Sequence, residues 1–121
     1  MQFTKFLVVY GLLILPFGSI LAQSGYSSHV QLADDAYQGK TYIKAALAYR
    51  KAFSDSPDSV QAMDVYRSAR CWSAANNTDS AFIQLRSAVF VYKFGKYGTV
   101  MADPVLFKLH QDKRWSEITL Q

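Results

Sequence analysis

Apolar residues recur at steps of three and four along most of the chain from His29 onward. In one such stretch, small and aromatic residues mark a single helical face: Tyr42, Ala45, Ala46, Tyr49, Ala52 and Phe53. This spacing is typical of amphipathic α-helices that bury one face against a neighbour. No stretch alternates with period two for long enough to predict a strand. The expected fold class is therefore all-α.

Turn and capping residues divide this pattern into four long helices. Gly39-Lys40 interrupts the first helix, because Gly is common just past a helix end. Ser54–Pro57 should end the second helix. Ser56-Pro57-Asp58 predicts the start of the third helix, with a Ser cap, a first-turn Pro and an Asp facing the helix dipole. Asn76-Asn77 predicts a turn, and Thr78-Asp79 then predicts a fourth helix with a hydroxyl cap.

The pattern changes after Tyr92. Residues 93–98 contain two Gly and predict a loop. Asp103-Pro104 predicts a capped short helix that runs through Leu109. Asp112 is expected to cap a last helix that contains Trp115.

The N-terminus has the order of a secretory signal peptide. A basic Lys5 precedes the uncharged run from Phe6 to Leu15, Pro16 breaks that run, and Ala22 supplies a small residue before Gln23. This order predicts cleavage after Ala22. The protein is then exported, periplasmic or secreted, with no stable membrane insertion once the signal peptide is removed. The alternative is an uncleaved N-terminal helix that holds the protein at the membrane.

The chain resembles itself at a shift of 36 residues. Four pairs of identical residues illustrate this: Ala33 and Ala69, Ala45 and Ala81, Arg50 and Arg86, and Ala52 and Ala88. Apart from the Arg pair, the matches fall on predicted buried faces. A helical hairpin repeated at this length is the signature of a stacked α-solenoid.

The repeat resembles the tetratricopeptide repeat (TPR). The residues that carry the resemblance are the spacing Ala45, Tyr49, Ala52 and Pro57, the spacing Ala81, Leu85 and Ala88, the small residues Ala33 and Ala69, and the aromatic Trp72. The first hairpin departs from the pattern, because Ala36 stands where an aromatic residue is expected and Tyr37 comes one place later. The resemblance implies a short solenoid of antiparallel helical hairpins that serves as an interaction scaffold.

Residues 102–115, here called the closing segment, resemble the end of exported bacterial TPR proteins. They combine Asp103-Pro104, a Leu-x-x-Leu-like step and a late Arg114-Trp115. The resemblance implies that this segment covers the exposed apolar face of the last hairpin. The expected organisation is a signal peptide (1–22), a linker (23–29), two TPR-like hairpins (30–92), and a loop with short capping helices (93–121).

Composition narrows the function classes. The formal net charge of +4 in 121 residues is small and scattered, which argues against nucleic-acid binding. The lone Cys71 excludes an internal disulfide, and no cluster of residues predicts a metal or another cofactor. Cys71 and His110 form a conceivable thiol–imidazole pair, but nothing in the sequence supplies an orienting group. We therefore predict no catalytic residues and no enzyme, with a small thiol enzyme as the unfavoured alternative.

The predicted binding surface is the concave face formed by the first helix of each hairpin. By repeat position it displays Asp34, Tyr37, Gln38, Tyr66, Arg67, Arg70 and Ser73. Tyr and Arg are frequent interface hot spots, and Arg67 and Arg70 share a helical face that could receive a carboxylate. An equally open alternative is that Tyr66 packs between hairpins and both Arg are solvated. The predicted function is binding of a protein or peptide, and the alternative is a structural or assembly subunit.

Overall fold

A computed structural model describes the backbone of residues 17–120 and the side chains of residues 25–120. The described residues form helices joined by short turns and loops, and they contain no strand. Its α-helices are α1 (Phe17–Gln38), α2 (Tyr42–Asp55), α3 (Ala62–Ala74), α4 (Thr78–Arg86), α5 (Tyr97–Ala102) and α6 (Trp115–Thr119). Shorter helical pieces are a 3₁₀ turn at Pro57–Ser59, a π-helical turn at Ser87–Val91 and a 3₁₀ helix at Pro104–Gln111. The all-α prediction is confirmed.

The four longer helices form two hairpins that pack on each other through α2 and α3. Alanines lie at the points of closest helix approach, where they are 0% exposed: Ala33, Ala45, Ala46, Ala69, Ala81 and Ala88. Larger side chains fill the space between them, including Tyr49, Phe82 and Leu85 at no more than 1% exposed. Small residues allow the helices to approach closely, and the larger side chains fill the space that remains between them.

The turns of the two hairpins have the same backbone geometry. Lys40 and Asn76, 36 positions apart, both have left-handed backbones with φ of 60° and 61°. The following amides, of Thr41 and Asn77, each bond at 2.9 Å to the carbonyl five residues earlier. This is the Schellman ending of a helix. The repeat in the sequence is therefore also a repeat in backbone conformation, although the left-handed residue of the first turn is Lys40 and not the neighbouring Gly39.

The N-terminal part of α1 departs from the prediction. The predicted signal peptide, residues 1–22, lies mostly outside the described residues, but α1 is continuous from Phe17. Residues 23–29, expected to be a linker, are therefore helical. Tyr26 explains the difference, because it is 6% exposed, stacks on Phe53 at 6.4 Å and donates a 2.6 Å hydrogen bond to Asp64. These tertiary contacts outweigh the weak helix propensity of the Gly and Ser residues around it.

Two predicted helix starts were wrong in detail. The Ser56-Pro57-Asp58 signal begins a 3₁₀ turn, and α3 starts only at Ala62. There the backbone N–H of Gln61 donates to the Tyr26 hydroxyl at 3.2 Å, which ties the start of α3 to α1. The cap of α4 is Asn77 and not Thr78, because the Asn77 side chain accepts a hydrogen bond from the Ser80 amide at 3.0 Å.

The closing segment packs against α3 and α4. Asp103 caps the 3₁₀ helix by accepting from the Val105 amide at 3.0 Å, which confirms the predicted cap. Arg114 bonds to Asp112 and Asp79, each at 2.8 Å, and lies over the ring of Phe82 on α4 at 4.5 Å. These Arg114 contacts hold the start of α6 against α4 of the second hairpin. Residues 93–96 lie outside any helix, as predicted, but the loop ends two residues earlier than expected because α5 begins at Tyr97. Val100 of α5 is 0% exposed.

Candidate functional site

A cavity of about 290 Å³ lies between α1 and α3. Its lining consists of Asp34, Tyr37, Gln38, Tyr49, Arg67, Arg70 and Cys71, and we call it the groove cavity. Five of the seven residues predicted for the concave face therefore meet around one opening: Asp34, Tyr37, Gln38, Arg67 and Arg70. Each hairpin contributes its first helix, so the cavity exists only because the two hairpins stack.

Tyr37 and Arg70 face each other across the groove cavity. The Arg70 guanidinium carbon lies 5.2 Å from the centre of the Tyr37 ring, within range of a cation–π contact. The same guanidinium places Nε 2.7 Å from Oδ2 of Asp103, as an ion pair. A carboxylate of the closing segment thus already partners Arg70, which sequence reasoning did not anticipate. The Arg70 side chain is 31% exposed and forms one wall of the groove cavity, where Asp103 holds its guanidinium in place.

Arg67 is the more available cation. Its side chain is 46% exposed, and its partner Asp64 is 3.6 Å away, beyond hydrogen-bond distance. Asp64 itself is held by the Tyr26 hydroxyl at 2.6 Å, so it is not free to follow Arg67 outward. A ligand carboxylate entering the groove cavity therefore finds Arg67 with most of its donors unused.

Two buried side chains, Tyr49 and Cys71, also line the groove cavity. Tyr49, 1% exposed, donates a 2.7 Å hydrogen bond to Asp34 and thereby fixes the carboxylate on the cavity wall. Burial, and then the hydrogen bond to Asp34, raise the pKa of Tyr49 far above its usual value. The sequence marked Tyr49 only as a packing residue. Its position opposite Asp34 in the antiparallel hairpin was the signal that could have placed it here.

Tyr66 and Ser73 lie outside the groove cavity, beneath the closing segment. Tyr66 is 4% exposed, donates to Asp103 and stacks on Phe94 at 4.6 Å. Ser73 is 0% exposed and donates to the Val105 carbonyl at 2.7 Å. The angular spacing of residues around a helix explains why only some of these α3 side chains reach the groove cavity. Tyr66 and Ser73 point in nearly the same direction, Arg70 is rotated from Tyr66 by about 40° to the boundary, and Arg67 by about 100° into the groove.

The groups considered for catalysis have separate surroundings. Cys71 is 1% exposed, and burial raises the pKa of its thiol to about 12, so the thiol stays protonated near neutral pH. A protonated thiol is a poor nucleophile. His110 instead stacks on Trp115 at 4.0 Å, and His29 lies 3.6 Å from Asp55. Within residues 25–120 no group of three His, Cys, Asp or Glu side chains is placed to hold a metal ion.

Comparison with known proteins gives no match. No family model, no curated protein and no solved structure matches the chain. Among the described helices, none is both long enough and apolar enough to cross a membrane. Any assignment of function therefore depends on the residues and geometry of this chain alone.

Proposed function

We propose that the protein is an exported scaffold of the TPR type that binds a protein or peptide partner in the groove cavity, without catalysis. The observation that carries the proposal is the groove cavity itself, which both hairpins build and which displays Tyr37, Gln38 and Arg67 to a ligand. Aromatic and Arg side chains beside a concave, braced surface are the usual anchors of protein recognition.

The family assignment rests on features of sequence and backbone taken together. The 36-residue repeat recurs in the Schellman turns at Lys40 and Asn76, and alanines occupy the close contacts of both hairpins. The closing segment covers α3 and α4 as a terminal cap would, which stacked repeats require for solubility.

The groove is tested by site-specific photo-crosslinking in the host. A photoreactive residue replaces Gln38, which is exposed at the rim of the groove cavity, or Ile83, which is 64% exposed on α4. We expect a discrete adduct with one protein from position 38 only. Adding Arg67→Ala should weaken that adduct, whereas Lys44→Ala, which removes an exposed positive charge elsewhere, should not. Equal adducts at both positions, or none at position 38, would contradict binding in the groove.

Export is tested separately by the N-terminus of the protein isolated from its host. We expect it to begin at Gln23 and to be recovered from the extracytoplasmic fraction. Recovery of a chain that begins at Met1 in the membrane fraction would instead support the alternative of an uncleaved N-terminal helix.

An assembly subunit is the second candidate, and one feature of the first hairpin favours it. Ile43 and Leu47, one turn apart on α2, are 55% and 45% exposed, and Leu32 on α1 is 51% exposed. Exposed aliphatic residues spaced in this way suit stacking against another chain. Light scattering of the purified protein distinguishes the candidates, because self-assembly through this face predicts an oligomer that Ile43→Ser/Leu47→Ser converts to a monomer. If the wild type and the variant are both monomers, this face does not drive self-assembly.

A further inference from the structure

The chain between α4 and α5 exposes apolar and basic side chains next to each other. Val91 is 68% exposed, Tyr92 37% and Tyr97 39%, and both Lys93 and Lys96 between them are exposed. The Tyr97 hydroxyl donates a 2.6 Å hydrogen bond to the Thr119 carbonyl, which brings Leu120, 82% exposed, to the same surface. We call this set the loop face: Val91, Tyr92, Lys93, Lys96, Tyr97 and Leu120.

The backbone holds the loop face outward. Lys93 has a left-handed backbone with φ of 55°, and the next amide, of Phe94, bonds to the Ala88 carbonyl at 2.8 Å. Phe94 is therefore drawn inward, where it is 8% exposed and stacks on Tyr66. Because Phe94 turns inward at the middle of the loop, Lys93 before it and Lys96 after it are left on the outside.

The loop face carries unbalanced positive charge. Residues 87–102 contain no Asp or Glu. In the part of the chain that the structure describes, neither Lys93 nor Lys96 forms an ion pair. Glu117, the acidic residue nearest to Leu120 in sequence, is engaged by Arg86. Two free ammonium groups thus stand beside exposed aliphatic and phenolic side chains.

We propose that the loop face contacts an anionic phospholipid surface. Lys side chains can lay their apolar stems along the acyl boundary while their ammonium groups reach lipid phosphates. Tyr side chains prefer this interfacial depth, and Val91 and Leu120 can enter the apolar layer. The loop face lies apart from the groove cavity, because none of its residues lines that cavity.

The exposure within the loop face favours lipid over an acidic protein surface. Val91 and Leu120 are 68% and 82% exposed, more than any other large apolar side chain in residues 25–120. A bilayer interface accepts protruding aliphatic and phenolic side chains and presents phosphates to the ammonium groups beside them. An acidic protein surface supplies the negative charge but no apolar layer for Val91 and Leu120.

An environment-sensitive fluorophore tests this contact in the full chain. Cys71→Ala removes the native thiol, and the fluorophore is attached at Val91→Cys or, as a control, at Ile83→Cys, which is similarly exposed at 64% against 68%. The vesicles are phosphatidylcholine, with or without about one-third phosphatidylglycerol. We expect a blue shift at position 91 only, and only with the anionic vesicles. Because the comparison is between positions, any binding by the N-terminal residues affects both proteins equally.

Charge variants supply the second measurement. Each Lys near an anionic bilayer strengthens binding about fivefold, so Lys93→Gln/Lys96→Gln should weaken the position-91 signal roughly thirtyfold in lipid concentration. Lys40→Gln/Lys44→Gln removes the same charge from the turn between α1 and α2 and should change it little. An equal shift at position 83, a shift without anionic lipid, or no shift at position 91 would overturn the proposal. If position 91 shows no shift and the loop face crosslinks to an acidic protein, this surface belongs to that partner. These outcomes are independent of binding in the groove cavity.

Discussion

Replacing Asp103 by Ala should loosen the closing segment from α3, because this one carboxylate makes three separate contacts. It accepts a hydrogen bond from the buried Tyr66 hydroxyl, caps the 3₁₀ helix through the Val105 amide, and pairs with Arg70. Asp103 is 8% exposed, so water does not readily replace the lost partner.

The expected loss of stability follows from two of these contacts. Removing a capping side chain costs about 1 kcal/mol. Leaving the buried Tyr66 hydroxyl without a hydrogen-bond acceptor costs about 1–3 kcal/mol more. The Arg70 pair is partly solvated and is left out of the sum. Asp103→Ala should therefore lower the free energy of unfolding by about 2–4 kcal/mol, which corresponds to roughly 10–20 °C in melting temperature for a domain near this size.

Urea unfolding followed by far-UV circular dichroism measures this loss. Asp35→Ala is the matched control, since Asp35 is exposed and its side chain only accepts from Gln31 one turn earlier. The control should stay within about 0.5 kcal/mol of the wild type. If Asp103→Ala does the same, the junction between α3 and the closing segment does not hold as described.

A double-mutant cycle makes the test sharper. Tyr66→Phe alone should cost about 1 kcal/mol, because it removes a hydrogen bond and leaves Asp103 its other two partners. In the Asp103→Ala background, the same change removes a hydroxyl that has lost its acceptor. It should then be neutral or stabilising. Additive losses would refute a direct contact between the two side chains.

Three further predictions follow from single residues. Cys71, buried and with its pKa raised to about 12, should resist a thiol reagent in the native protein and react fully in denaturant; rapid native labelling would revive the thiol-enzyme alternative. Asn77→Ala should lower the free energy of unfolding, measured with urea, by about 1 kcal/mol, and Thr78→Ala should lower it clearly less. A larger loss for Thr78→Ala would show that the Thr78 hydroxyl is the cap. The hydrogen bonds from Arg114 lower the pKa of Asp112 from 3.8 to about 2, so its contribution is present above about pH 4 and lost as the pH falls toward 2. Asp112→Asn should make the free energy of unfolding fall less steeply as the pH drops toward 2. Asp58→Asn should not, because Asp58 is exposed and forms no ion pair with any side chain of residues 25–120. Identical curves for Asp112→Asn and the wild type would contradict the Arg114 contact.

The residues of the concave face were only partly predictable. Helical spacing and the repeat register brought Asp34, Tyr37, Gln38, Arg67 and Arg70 together correctly around one opening. The same reasoning placed Tyr66 and Ser73 beside them, because a helix seen alone offers no sign of where its neighbours stop. The closing segment covers that side of α3, and its Asp103 also takes up Arg70.

Helix boundaries were also only partly predictable from the sequence. Thr78 and Asn77 are both good capping residues, and only the direction of the Asn77 side chain toward the Ser80 amide decides between them. Residues 23–29 look like a linker by propensity, yet Tyr26 contacts Phe53 and Asp64 on other helices, and the segment is helical.

Period and spacing in the sequence alone determined that the protein is all-α, that its hairpins repeat every 36 residues and that alanines lie at their contacts. These properties are local or periodic, so each residue and its near neighbours encode them. Tertiary structure alone decided which face of α3 remains open, which carboxylate meets Arg70 and that the residues around Tyr26 are helical. Each of those depends on contacts between residues more than thirty positions apart, such as Tyr66 with Asp103 and Tyr26 with Asp64, which no periodic pattern specifies.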